Sequence, residues 1–168
     1  SFMYDDRNIV LIGMPGSGKS TTGIVLAKTL GYGFVDTDVL IQDSCISLLQ
    51  EIIDSEGIER FLEIEEKSIV SSSFRRTVIA TGGSAVLSPG VMLHLKSPGI
   101  AVYLELDYAA IEERINNIGT RGIVMPAGQT LRDVYDLRRS LYEEYADITV
   151  SCGGRSLENI VSEIVSRL

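Results

Sequence analysis

The run Gly13-Met14-Pro15-Gly16-Ser17-Gly18-Lys19-Ser20 has the spacing G-x-x-x-x-G-K-S and follows a short apolar segment, Asn8-Ile9-Val10-Leu11-Ile12. Glycine at both ends lets the chain fold back and aim successive backbone N–H groups at one anion. Lys19 adds a point charge suited to β- and γ-phosphates, and Ser20 a hydroxyl suited to Mg2+. The stretch from Gly13 to Thr21 is therefore read as a phosphate-binding P-loop. A second chemical feature is Asp36-Thr37-Asp38. If these residues close a strand, positions i and i+2 share a face and both carboxylates project from its carboxyl end. One suits the shell of a phosphate-bound Mg2+; the other suits an acceptor hydroxyl that must be oriented or deprotonated. The competing role for Asp38 is to cap the short helical run Val39-Leu40-Ile41. A third feature, Thr81-Gly82-Gly83-Ser84, offers backbone that a small ligand can approach closely, or simply a tight turn.

The elements that must position these groups alternate. Short runs rich in Val and Ile predict strands at Asn8 to Ile12, Gly33 to Asp36, Thr77 to Ala80, Ile100 to Glu105 and Ile148 to Ser151. Between them lie helical patterns: Lys19 to Leu30, Ser47 to Asp54, Ile58 to Ser71, Pro89 to Leu95, Tyr108 to Asn117, Leu131 to Ala146 and Leu157 to Leu168. In the first helix Ile24, Val25, Leu26 and Leu30 are expected to form the apolar stripe. Strands alternating with helices imply a parallel sheet covered on both faces, an α/β fold with ligands at the carboxyl ends of the strands. The aperiodic stretch 119–130 contains Gly, Pro and Arg121 and is read as a mobile lid.

Bulk properties narrow the function class. The chain has 168 residues, 45% of them hydrophobic, which suits one domain spanning 1–168. A formal charge of −8 argues against a nucleic-acid surface, which needs clustered Lys and Arg. Cys45 and Cys152 are too far apart for a zinc pair, and two cysteines do not make a disulfide framework, so a reducing compartment, the cytoplasm, is expected. No run approaches the roughly 18 apolar residues of a membrane span. A small-molecule substrate is expected, with no nucleic-acid or membrane partner and a monomeric chain. His94, the sole histidine, has no nearby nucleophile and is read as a surface residue.

In order and spacing, G-M-P-G-S-G-K-S-T, F-V-D-T-D, G-I-E-R-F-L-E-I-E-E, T-G-G-S-A-V and R-R-S-L-Y-E-E-Y-A-D resemble the shikimate kinases from about Asn8 to the C-terminus. The resemblance implies a three-layer P-loop kinase fold with a five-stranded parallel sheet, helices on both faces and a mobile lid. It also implies transfer of the γ-phosphoryl of ATP to the 3-hydroxyl of shikimate with Mg2+. By position it assigns Lys19 and the P-loop amides to the phosphates, Ser20 to Mg2+, Asp36 to the metal's water shell and Asp38 to the acceptor hydroxyls as base or orienter. It assigns Gly82 and Gly83 to the substrate site, Arg138 to the shikimate carboxylate, Arg121 to the transferring phosphate and Arg114 to the neighbourhood of the adenine. The bland alternative for Arg138 is an exposed residue among surface ion pairs.

The departures from the family pattern cluster at the acceptor. The arginine that follows phenylalanine in the family, a second carboxylate ligand, is Leu62 here, and Leu62 is expected to fill the vacated site. Ile58 replaces a glutamate, and Ser84 the third glycine of the family's G-G-G. Glu65, which would orient the missing arginine, is left without that task. Arg60 lies about 200° around the helix from Leu62 and cannot substitute for it; Arg75 and Arg76 are the remaining candidates. Two alternatives follow: a related kinase for a different small polyol, and a catalytically weak nucleotide-binding regulatory protein.

Overall fold

The computed structural model describes residues 6–45, 48–119 and 123–168. Five strands, β1 (Asn8–Ile12), β2 (Gly33–Asp36), β3 (Thr77–Ala80), β4 (Gly99–Glu105) and β5 (Ile148–Ser151), form one parallel sheet in the order β2-β3-β1-β4-β5. The central strands β1 and β3 are buried throughout, as apolar strands covered on both faces must be. Among the described residues seven α-helices flank them: α1 (Lys19–Leu30), α2 (Thr37–Cys45), α3 (Leu49–Val70), α4 (Pro89–Lys96), α5 (Tyr108–Ile118), α6 (Leu131–Tyr145) and α7 (Leu157–Arg167). Right-handed crossovers send the chain from β1 outward to β2 with α1 on one face. They then return it through β3, β4 and β5 with α3, α4 and α6 on the other, and α7 packs back beside α1. The direction reverses at β1, so the crevice beyond its carboxyl end is the switch point at which such folds bind ligands.

The strands follow the pattern read from the sequence, β4 beginning one residue earlier at Gly99. The two helices expected, Ser47 to Asp54 and Ile58 to Ser71, are both present along α3 and meet at a kink where Gly57 (φ 84°, ψ 168°) leaves the helical dihedrals. In α1 the expected stripe is only partly right. Leu26 is buried, but its inward companions are Thr22, Gly23 and Ala27, while Ile24 is 54% exposed. The reason lies at Gly23, where a Cβ would come within 2.6 Å of the Phe34 ring; the missing side chain lets β2 close onto the helix. His94 is half-buried rather than on the surface, its Nε2 lying 2.6 Å from the Ser72 carbonyl and joining α4 to the end of α3.

Two apolar cores result. The larger surrounds the sheet. The smaller consists of Ile41, Leu49, Ile52, Phe61 and Val124, with Ile58 and Leu62 against it, and joins α2 and α3 to the segment that precedes α6. The part of the expected lid at Ile123 and Val124 is therefore packed and buried. Residues 120–122 of that lid, Arg121 among them, lie outside the described residues. Among those described, no helix is long and apolar enough to cross a membrane.

Candidate active site

The P-loop joins β1 to α1. Gly16 (φ 82°) and Gly18 (φ 91°) adopt left-handed conformations that let the loop curl, and Gly18 caps the helix, so the first amides of α1 face the loop's interior. Lys19 is buried and its Nζ donates to the carbonyls of Gly13 (2.6 Å) and Met14 (2.8 Å). Burial pushes this ammonium down to about 8, against the pull of Asp38 and Asp36 and with Arg138 adding to the depression. The side chain of Met14 belongs to the core and that of Ser17 is buried, so these two serve the loop through its backbone; the Ser17 amide donates to the Met14 carbonyl. Arg114 reaches over from α5 and donates to the Gly16 carbonyl at 2.7 Å.

Asp36 ends β2, and α2 begins at once at Thr37. The carboxylates are thus set by a strand end and a first helical turn, not by strand alternation. The helix cap is Asp36, whose Oδ1 accepts from the Asp38 amide at 2.9 Å, and not Asp38. Its Oδ2 accepts from the Ser20 hydroxyl at 2.6 Å. This adjacent hydroxyl and carboxylate are hard oxygen donors at the mouth of a phosphate loop. Among the described residues no cluster of three His, Cys, Asp or Glu is placed to hold an ion. The donor set therefore suits a Mg2+ that keeps waters and phosphate oxygens as most of its ligands. Freed from capping, Asp38 faces the cavity. Burial, and then Asp36, raise its carboxyl to about 6, with Lys19 pulling the other way.

The cavity, about 260 Å³, extends from the P-loop past Asp36 and Asp38 to Gly82, Gly83 and Ser84, and ends at Phe61, Val124 and Arg138. The glycine pair is needed for packing. A Cβ at Gly82 would overlap the Asp38 carboxylate, and one at Gly83 would lie 2.6 Å from the Pro15 ring. The Gly82 amide is not offered to a ligand, since it donates to the Thr37 hydroxyl at 3.1 Å. Gly83→Ala must therefore displace Pro15; we expect a loss of about 1–3 kcal/mol, read as a lowered Tm.

Arg138 is 2% exposed. Arg132 and Arg139 make the surface pairs, with Asp136 and Glu143, whereas Arg138 points inward. One Nη donates to the Val124 carbonyl, and Nη1 has no hydrogen-bond partner among the described residues. Leu62 does not line the cavity. Phe61 forms the α3 wall, and Leu62 packs into the smaller core instead. Ser84 also departs from expectation, because its hydroxyl lies 3.2 and 3.0 Å from the two oxygens of the wholly buried Glu65, which is thus not without a task. Arg60 pairs with Glu56 and Glu63, and Arg75 with Asp6, both on the surface; Arg76 lies over the Tyr32 ring.

Sequence reasoning missed Thr37, Phe61 and Tyr142. Tyr142 stacks on Tyr103, and its hydroxyl donates to the Gly83 carbonyl at 2.8 Å. Its spacing of four residues from Arg138 on α6 was the available signal.

A phosphate grip on one side of a small polar cavity, with a recess holding a carboxylate and a buried guanidinium on the other, is the arrangement needed to pass a phosphoryl group to a small acceptor. Fold and site together define a small-molecule kinase of the P-loop type. The shikimate kinase family model matches residues 15–168. The chain is 34% identical over 165 residues to the shikimate kinase of Geobacter sulfurreducens, covering 96% of this chain and 91% of that one. It is 37% identical over 167 residues to that of Pasteurella multocida, covering 97% and 95%. Among solved structures, a shikimate kinase from Acinetobacter baumannii in complex with shikimate superposes with a TM-score of 0.87 at 29% identity, covering 98% of this chain and 94% of that one. The chain belongs to the shikimate kinase family.

Proposed function

We propose that this chain transfers the γ-phosphoryl group of Mg2+-ATP to the 3-hydroxyl of shikimate. The observation that carries this reading is Arg138, a buried cation whose Nη1 has no hydrogen-bond partner among the described residues, at the end of the cavity that holds Asp38 and Lys19. A guanidinium left so is suited to a carboxylate ligand, and shikimate has one carboxylate and a row of hydroxyls. Arg138 grips the carboxylate and Asp38 takes or orients the proton of the attacking hydroxyl. The transition state is loose and spreads charge over three equatorial oxygens, so positioning and positive charge do most of the catalysis. Lys19 and the P-loop amides supply these on the protein side. Ser20 and the Asp36-bound water shell would hold Mg2+, which when bound would neutralise phosphate charge. By family position Arg121 closes on the transferring phosphate and Arg114 packs near the adenine; the Arg114 bond to Gly16 keeps that side chain on the nucleotide side of the loop.

A second reading, another small hydroxylated acceptor, is favoured by one observation: Arg60, Arg75 and Arg76 are engaged elsewhere, so none of these three stands in for the family arginine that Leu62 replaces. The assay that separates the readings is ADP release from Mg2+-ATP with and without shikimate. Stimulation at micromolar shikimate supports the first; stimulation only at millimolar concentration, or none, rejects it and points to other polyols. Leu62 is three residues from Glu65 on the same helix face, so Leu62→Arg brings a guanidinium to this end of the site. One charged contact contributes about 1.5–3 kcal/mol, and the shikimate KM is expected to fall roughly ten- to a hundredfold. An unchanged KM would exclude position 62 from carboxylate binding.

A further inference from the structure

Glu65 is the least ordinary group near the cavity. It is a carboxyl with no measurable exposure, no cation lies within ion-pair distance of it among the described residues, and its one hydrogen-bond partner there is the Ser84 hydroxyl. Ser84 stands between it and the cavity and forms part of the wall, while Arg138 and Asp38 act on it from α6 and α2. From α4, His94 is directed to Ser72, about two turns further along α3.

The hydrogen count at this pair is informative. Ser84 Oγ is within 3.2 Å of both carboxyl oxygens but owns one hydrogen. If Glu65 is ionised, the second contact has no proton. If it is neutral, each side can donate one bond, but the single bond to an ionised carboxylate is charge-assisted and the stronger, so the hydroxyl draws Glu65 toward ionisation while burial opposes it. A neutral Glu65 places no negative charge behind Arg138; an ionised one places a full charge there, in the same low-dielectric region in which the guanidinium must receive an anion.

We propose that Ser84 and Glu65 set the site's affinity for an anionic acceptor: neutral Glu65 leaves the charge of Arg138 available to the acceptor's carboxylate, and ionised Glu65 competes with that carboxylate for it. The proposal rests on the reading that the acceptor carries a carboxylate at Arg138. Burial raises the Glu65 carboxyl to about 7, Asp38 adds to the rise, and Ser84 and Arg138 oppose it, so the two forms exchange near neutral pH. Acceptor binding then takes up a proton, and Ser84 is a positioning residue whose hydroxyl decides where that exchange falls.

The test is shikimate affinity, measured calorimetrically from about pH 6 to pH 8 in the wild type, Glu65→Gln and Ser84→Ala, beside a 13C NMR titration of the glutamate carboxyls in free protein. With an exchange near 7, wild-type affinity should fall about tenfold across this range with proton uptake, while Glu65→Gln stays close to the low-pH value throughout. Ser84→Ala removes a donor that favours the ionised form, so the Glu65 midpoint moves to higher pH, and the fall in affinity moves with it. Parallel falls in wild type and Glu65→Gln would overturn the proposal, as would a Glu65 midpoint below about 5. If shikimate fails to bind at any pH, the acceptor reading fails instead. The NMR titration then decides the rest, because a midpoint near 7 that rises in Ser84→Ala retains the pair's role toward another anionic acceptor.

Discussion

Asp38→Asn is expected to lower kcat by about 10²–10⁴ while leaving ADP and ATP affinity within about twofold of wild type. The side chain faces the cavity, freed from capping because Asp36 takes that role. Its raised carboxyl, at about 6, makes it a stronger base than a surface aspartate yet ionised at neutral pH. Asparagine fills the same space beside Gly82 but cannot accept the hydroxyl proton. Stability separates this chemical loss from damage to the fold. A carboxyl raised in the folded state favours folding in its protonated form. That contribution is present below the ordinary carboxylate range and is lost as pH rises through about 6. Asparagine is spared the loss, so the variant's Tm at pH 8 should equal or exceed that of the wild type. A kcat above a tenth of wild type would limit Asp38 to orienting the acceptor.

Lys19→Ala is expected to reduce turnover by about 10³ or more and to weaken ATP binding as well. The ammonium is held by two loop carbonyls at 2.6 and 2.8 Å and is buried, so its position is set before any phosphate arrives and little is lost in ordering it. Burial lowers it to about 8, which leaves it mostly charged at neutral pH, and an incoming phosphate, being negative, raises it again. A lysine acting only as a structural tie for the loop would instead give a variant with lowered Tm and a kcat recoverable at saturating ATP, which steady-state kinetics over a wide ATP range would reveal.

Much of this was legible in the chain because the relevant physics is local. Strands β1 and β3 read as strands because, after Asn8 and Thr77 at their starts, their residues are apolar, and the G-x-x-x-x-G-K-S spacing determines its own loop, since glycine readily takes the left-handed backbone angles at positions 16 and 18. The gap between the helical patterns ending at Asp54 and beginning at Ile58 appears as the kink at Gly57. Less legible were contacts between segments distant in sequence. The stripe on α1 was misjudged because the ring of Phe34, on a different element, occupies the space at Gly23. The cap fell to Asp36 and not to Asp38 because α2 starts at Thr37, two residues before the run Val39-Leu40-Ile41.

The acceptor end shows the division most clearly. The residue types determined by themselves that phosphate would be bound after β1, that two carboxylates would stand nearby, and that position 62 could not hold an anion. Only the tertiary structure decided that Arg138 turns inward while Arg139 stays on the surface, and that Phe61 rather than Leu62 forms the wall. It likewise paired Ser84 with Glu65, nineteen residues away. The physical reason is that a helix specifies which residues share a face, whereas the neighbour that face meets depends on how α3, α6 and the turn after β3 pack, and burial and charge at a site arise from that packing.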